Sequence, residues 1–328
     1  MTRFARDRAI STVVDVALFL LLVSAAVTTL ALFLEDGDRA PTHAEADRTA
    51  ETLASTTTSV EYSLRPVART DDTGTFDDTD FDDEAYARVA HGPTAALLAD
   101  AAVTNVRFDD RRLTAAGEEF EDAVDRTAMG VLQGATDDVH VVAVWTPHDG
   151  SSIEGRATAG RKPPSDADVS TATMTVASGV PPVDDDRITA AYERGGFEAA
   201  ARPIATAIVD GYLPPSESRL ALERQSVDRA LVVYRYQRLA DILGVDLDPE
   251  DGVVSRPNAN VTAANEKLTD ELAVLIAADL EAELASDVED IQRRYPVDEH
   301  DGEIGEAIAE TVSTGDVTIT VRTWGREP

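Results

Sequence analysis

The sequence predicts an α+β protein: an N-terminal transmembrane helix, then a helix-rich extracellular domain with a small antiparallel sheet. Three observations carry that expectation. Val16 to Leu34 run nineteen positions without a charge. Short β-branched runs such as Val139 to Thr146 and Val317 to Trp324 recur between longer segments. Long stretches beyond Arg187 place apolar residues at helical spacing.

The apolar segment comes first in the chain. A helix of its length spans about 28 Å, close to the roughly 30 Å of a bilayer's hydrocarbon core. Leu18 to Leu22 cover every helical face, where a surface helix keeps one polar side. Arg3, Arg6 and Arg8 precede it and Glu35, Asp36 and Asp38 follow it. Basic flanks stay in the cytoplasm, so residues 35–328 are expected outside the cell. A secretory signal cleaved after the helix would need small residues where Glu35-Asp36-Gly37-Asp38 stand.

Arg8-Ala9-Ile10-Ser11 directly precedes the apolar run. This short pattern resembles the prepilin-type signal of archaeal type IV pilins. The resemblance implies a cut between Ala9 and Ile10, with residues 1–9 as a basic leader and the membrane helix, 10–34, retained; charge and apolar spacing make 35–328 an acidic domain whose helical part covers 187–295. Bacterial type IV pilins carry Glu at the fifth mature position; here Val14 holds that place and Asp15 follows it. An acid at the centre of a membrane helix costs about 2.5–3.5 kcal/mol on insertion scales, so it tends to be paired. Asp15 then either pairs with the new amino terminus at Ile10 of a neighbouring subunit or reaches water among the headgroups. As a whole the chain also resembles haloarchaeal single-pass membrane proteins of surface and secretion machinery.

Composition narrows the function classes. There are 62 Asp and Glu against 29 Lys and Arg, a net charge of −33, spread along the chain. Such acidity resembles proteins of extreme halophiles, where dense carboxylates keep a surface hydrated and molar salt screens their repulsion. It argues against nucleic acid, which requires a basic face. Cysteine is absent, which removes disulfides, thiolate nucleophiles and thiolate metal sites.

Past the anchor, Glu35 to Pro41 break the helix. His43 to Ala54 read as an amphipathic helix, Thr56 to Leu64 as a strand, and Arg69 to Asp83 as an acidic loop. Asp83 to Val103 and Ala115 to Gln133 read as helices. Val139 to Thr146 is an apolar strand and Val169 to Ser178 an alternating one, with a mobile loop expected over Gly150 to Pro164. Helices follow at Arg187 to Ala201 and Pro203 to Tyr212, divided at the proline. Two apolar stripes, Ser216 to Leu243 and Leu268 to Tyr295, suggest a helical hairpin or a coiled coil with a partner. The 56–64, 139–146, 169–178 and 317–324 segments are expected to share one sheet.

Catalytic patterns are missing. The five histidines, His43, His91, His140, His148 and His300, show no i, i+4 pair, and no nucleophile elbow or phosphate-binding glycine loop occurs. Asp78-Asp80-Asp82 and Asp246-Asp248-Glu250 each depart from the full calcium-loop pattern. Asn260-Val261-Thr262 is a glycosylation sequon. No catalytic, cofactor or metal residue is therefore assigned. The expectation is a non-catalytic, membrane-anchored, pilin-like or accessory subunit of a haloarchaeal surface or secretion apparatus. Its partners would be the membrane and other subunits of that apparatus. The alternative is an anchored extracellular domain binding an unidentified ligand. If the acidity is a halophilic trait, the helical circular-dichroism signal and melting temperature fall as molar salt is diluted away. A melt indifferent to salt would remove that reading.

Overall fold

The computed structural model describes residues 43–71, 74–76, 81–109, 111–114, 116–132, 138–224, 226–247, 260–297 and 299–325. The first part runs α1 (His43–Ser55), β1 (Thr57–Ser63), α2 (Arg65–Thr70), α3 (Asp83–Tyr86), β2 (Ala87–Pro93) and α4 (Thr94–Thr104). Next come β3 (Arg107–Phe108), β4 (Arg111–Arg112), α5 (Ala116–Leu132), β5 (Val139–Trp145), β6 (Ile153–Gly160) and β7 (Val169–Ala177). A helical stretch follows: α6 (Asp185–Tyr212), α7 (Pro215–Leu222), α8 (Val227–Leu243), α9 (Val261–Glu283), α10 (Ala285–Arg294) and α11 (His300–Thr311). The chain ends its described part in β8 (Asp316–Trp324).

β1 and β2 pair in a two-stranded sheet, and a six-stranded sheet has the order β4-β3-β6-β5-β8-β7. Every pairing is antiparallel. Alternation dictates the core face. Val139, Val141, Ala143 and Trp145 of β5 are buried, as are Val317, Ile319 and Val321 of β8 and Ile153, Ala157 and Ala159 of β6. Against them pack Leu53 of α1, Leu97 and Leu98 of α4, and Phe120 and Val124 of α5. Gly155 permits this approach: a Cβ there would stand 2.5 Å from the carbonyl oxygen of Ala102 in α4.

The outer edge of β6 is sealed by α5. Glu121 accepts from the Thr158 amide at 2.7 Å and its hydroxyl at 3.2 Å through one oxygen, and from Asn105 Nδ2 at 2.7 Å through the other. Asp125 accepts from the Gly160 amide at 2.8 Å. Carboxylates thus satisfy strand donors that no neighbouring strand reaches, and block strand addition there.

The helical stretch forms a second layer in which α9 and α11 both pack along α6. It meets one end of the sheet. Ser152, ahead of β6, donates its amide and hydroxyl to Asp279 of α9 at 2.9 and 2.7 Å. α8 packs instead against the connection between β1 and β2, where Leu231 and Tyr234 join Leu64, Val67, Phe76 and Tyr86.

The α+β class with antiparallel sheets stands. Its membrane part is corrected: among the described residues no helix is long and apolar enough to cross a membrane. The expected transmembrane helix is therefore not supported, and neither is a single-pass membrane location with the domain outside. Residues 1–9 and 10–34, on which that expectation rested, lie outside the described residues. Other elements differ too. Strand 57–63 belongs to the small sheet rather than the large one. The expected loop at 150–164 holds β6, whose small buried residues give little β signal but keep a period of two. The expected helix 83–103 holds β2, hidden by alanines and by Val89, which is 66% exposed. The break in α6 falls at Gly195-Gly196, where Gly196 takes φ +68°, while Pro203 lies buried within the helix. The stripe at 216–243 is divided between α7 and α8, and that at 268–295 between α9 and α10.

Replacing Glu121 with Ala leaves the Thr158 amide and Asn105 amide without their acceptor. We expect a loss of about 1–3 kcal/mol in denaturant unfolding, since unmade buried hydrogen bonds cost about that much. An unchanged midpoint would show that the edge is not held by this carboxylate.

Candidate functional site

The face of the large sheet opposite the helices is lined by three rows of cross-strand neighbours. The first row is Thr171, Arg322, His140 and Gly160; the second Thr173, Thr320, Val142 and Thr158; the third Thr175, Thr318, Val144 and Arg156. These positions follow from the alternation that buries their neighbours in the core. Thr171, Thr173, Thr175, Thr318 and Arg156 are exposed, and Thr158, Thr320, Val144 and Arg322 are half-buried. At the centre His140 and Val142 are only 3% and 6% exposed.

The charge on this face departs from that of the chain. The groups whose fields reach His140 are Arg322, Lys162 and Arg156, all cations. Burial first, and then these three charges, hold its imidazole below the ordinary histidine value, so the ring is neutral near pH 7. Among the described residues none of the three cations has an ion-pair partner. His140 Nδ1 is buried with no hydrogen-bond partner among the described residues. In the strand register Glu154 and Asp316 stand beyond the third row, at the end next to the helical layer, and Asp138 stands beyond the first, where its carbonyl accepts from the Trp324 amide. The composition concealed this local basic surface, which sequence reasoning did not anticipate. It is small beside the acidic remainder of the chain. Its chemistry is that of hydroxyl and guanidinium donors: it can bind carboxylates, and it holds no nucleophile paired with a base.

A family profile described as "Family of unknown function (DUF7284)" matches residues 14–324. The chain belongs to that family. No curated protein matches it, and no solved structure does.

Of the histidines, His140 and His148 are buried, while His91 is exposed and His300 half-buried. His140 opens β5 and His148 follows its far end, so at about 3.3 Å per residue they stand roughly 25 Å apart. His148 is fully buried; its Nδ1–H donates to the Asp149 carbonyl at 2.8 Å, leaving Nε2 without a partner. Burial pushes its pKa down, more than the Asp149 carbonyl and the nearby Asp279, Asp149 and Glu283 charges raise it. The hydroxyl of Ser152 is spent on Asp279 rather than on an imidazole, so these residues form no nucleophilic relay. Among the described residues no three His, Asp or Glu side chains are grouped to hold a metal ion.

Arg8, Ala9, Ile10, Ser11 and Asp15 lie outside the described residues, as do Asp78, Asp80, Asp248 and Glu250 of the acidic runs. Asn260 is exposed at the start of α9, where its Oδ1 accepts from the Ala263 amide at 3.2 Å as a helix cap.

Both buried histidines have folded pKa values below the unfolded value of about 6.5. Their stabilising contribution is fully present above that value and is lost as pH falls through the depressed folded pKa, because the unfolded chain takes up the proton first. The melting temperature of the wild type is therefore expected to fall between neutral and mildly acidic pH, and that of His140→Gln to fall less. Parallel curves would mean that His140 carries none of the dependence.

Proposed function

We propose that the protein is a non-catalytic assembly subunit: an accessory, pilin-like component of a surface or secretion apparatus that works through contacts between copies. The carrying observation is the sheet face on which Arg156, Arg322 and Lys162 form no ion pair among the described residues, in a chain with more than twice as many acids as bases. Nearly any other surface of a second copy is complementary to it. One candidate is the end of α9 with α10, where Glu281, Glu283, Asp287 and Glu289 are exposed. No residue of α10 is buried. Contact between two different patches is heterologous, and such contacts build rings or open filaments rather than closing at a dimer. At direct contact, guanidinium–carboxylate bonds persist where salt screens the longer-range field. The prepilin-type pattern at Arg8 to Ser11 agrees with a subunit of this kind. A second reading, a ligand-binding domain, is favoured by a cleft among α6, α7 and α8.

Sedimentation velocity of the full chain in molar salt tests the proposal. Species should grow with concentration, and Arg156→Glu with Arg322→Glu should return the chain to monomer. Adding Asp287→Arg and Glu289→Arg to that variant should restore association. A wild type that stays monomeric at every concentration overturns the reading.

A further inference from the structure

The end of α6, all of α7 and the first half of α8 enclose a half-open cleft of about 290 Å³, at the small end of the range for ligand sites. Leu213, Leu220, Leu231 and Val232 give it an apolar wall. A buried network stiffens the base. Tyr236 donates to Asn265 Oδ1 at 2.6 Å, and Asn265 Nδ2 donates to the Leu213 carbonyl at 3.1 Å and to Asp210 at 3.2 Å. Ser218, another lining residue, hydrogen-bonds the Tyr236 oxygen.

The charged lining residues are Arg224, Arg235, Glu217 and Asp228. Asp228 is already held by Arg88 of β2 at 2.5 Å. Arg235 has no carboxylate partner among the described residues; its guanidinium lies 5.4 Å from the centroid of the Tyr212 ring. Arg235 Nε and the Tyr212 hydroxyl are both buried and lack hydrogen-bond partners among the described residues. Burial pushes the Tyr212 phenol up to about 12, so it remains a neutral O–H donor. Two buried donors without acceptors are costly, and an incoming group with two acceptor oxygens repays that cost.

We propose that this cleft binds a small monocarboxylate with an apolar tail, its head on Arg235 and Tyr212 and its tail along Leu213, Leu220, Leu231 and Val232. The carboxylate supplies acceptors alone, matching donors alone. Among the described residues Arg224, Arg235 and Glu217 of the lining form no ion pair, a net charge of +1 that suits one carboxylate, and the volume limits the tail to a short chain. Free phosphate shares the head chemistry but leaves the apolar wall wet.

Calorimetric titration of the full chain in molar potassium chloride, with octanoate, octanol, acetate and inorganic phosphate as probes, tests this. Octanoate should bind at least about tenfold tighter than each of the others. Arg235→Met should weaken octanoate at least about tenfold with an unchanged circular-dichroism spectrum. Ala221→Phe, which narrows the cleft and keeps both arginines, should abolish binding. Octanol as tight as octanoate overturns the head-group assignment; acetate or phosphate as tight overturns the tail. Absence of octanoate binding overturns the site. Self-association should be unaltered in Arg235→Met, which separates this inference from the assembly reading.

Discussion

One short turn, Ser313 to Gly315, ties the sheet to the helical layer. The Thr314 carbonyl accepts from Trp145 Nε1 at 2.8 Å and from the Ser178 hydroxyl at 2.7 Å, joining the ends of β5 and β7 to the start of β8. Thr314 in turn donates its hydroxyl to the Pro181 carbonyl at 2.9 Å. The Ser313 amide and hydroxyl donate to the carbonyls of Pro147 and Thr146. These groups are largely shielded from water, so each bond left unmade would carry its full desolvation cost. The turn fixes where β8 enters the sheet, and the register of β8 decides which side chains face the core and which form the threonine- and arginine-lined face.

How much of this was legible follows from what each pattern records. β5 could be read as a short unbroken apolar run, and β7 and β8 because their residues alternate with a period of two. β6 could not, because α4 approaches it so closely that Gly155, Ala157 and Ala159 are the sizes that fit. The same packing that buries the strand removes its signature. Pro203 drew attention as a breaker, yet the glycine pair eight residues earlier adopts the conformation that a helix cannot carry. The apolar run at Val16 to Leu34 was the most prominent signal in the sequence, and no described helix answers to it.

The sites were less legible than the fold. Total charge says nothing of where the few unpaired cations collect, and Arg156, Lys162 and Arg322 are dispersed in sequence until antiparallel pairing brings their strands together. The cleft depends on the chain turning sharply between Tyr212 and Val227, so that the end of α6 brings Tyr212 against Arg235 in the middle of α8. A stripe read as one helix from 216 to 243 would have placed no cleft there. Sequence reasoning was nearest at Asn260, which it selected for a modification and which the fold uses as a cap.

The position of β8 has a consequence for synthesis. Of the strands described it is the last in chain order, yet it lies between β5 and β7 and pairs with both. Until it emerges from the ribosome, β7 has no strand beside it and β5 keeps an open edge, with a slot the width of one strand between them. The whole helical layer is translated while that slot stands empty. It can be filled by the chain's own β8 or by the same strand of a neighbouring nascent chain, which is the geometry of a domain swap. Crowded translation on one message would therefore favour exchange, and slow release of the final residues would lengthen the interval in which it happens.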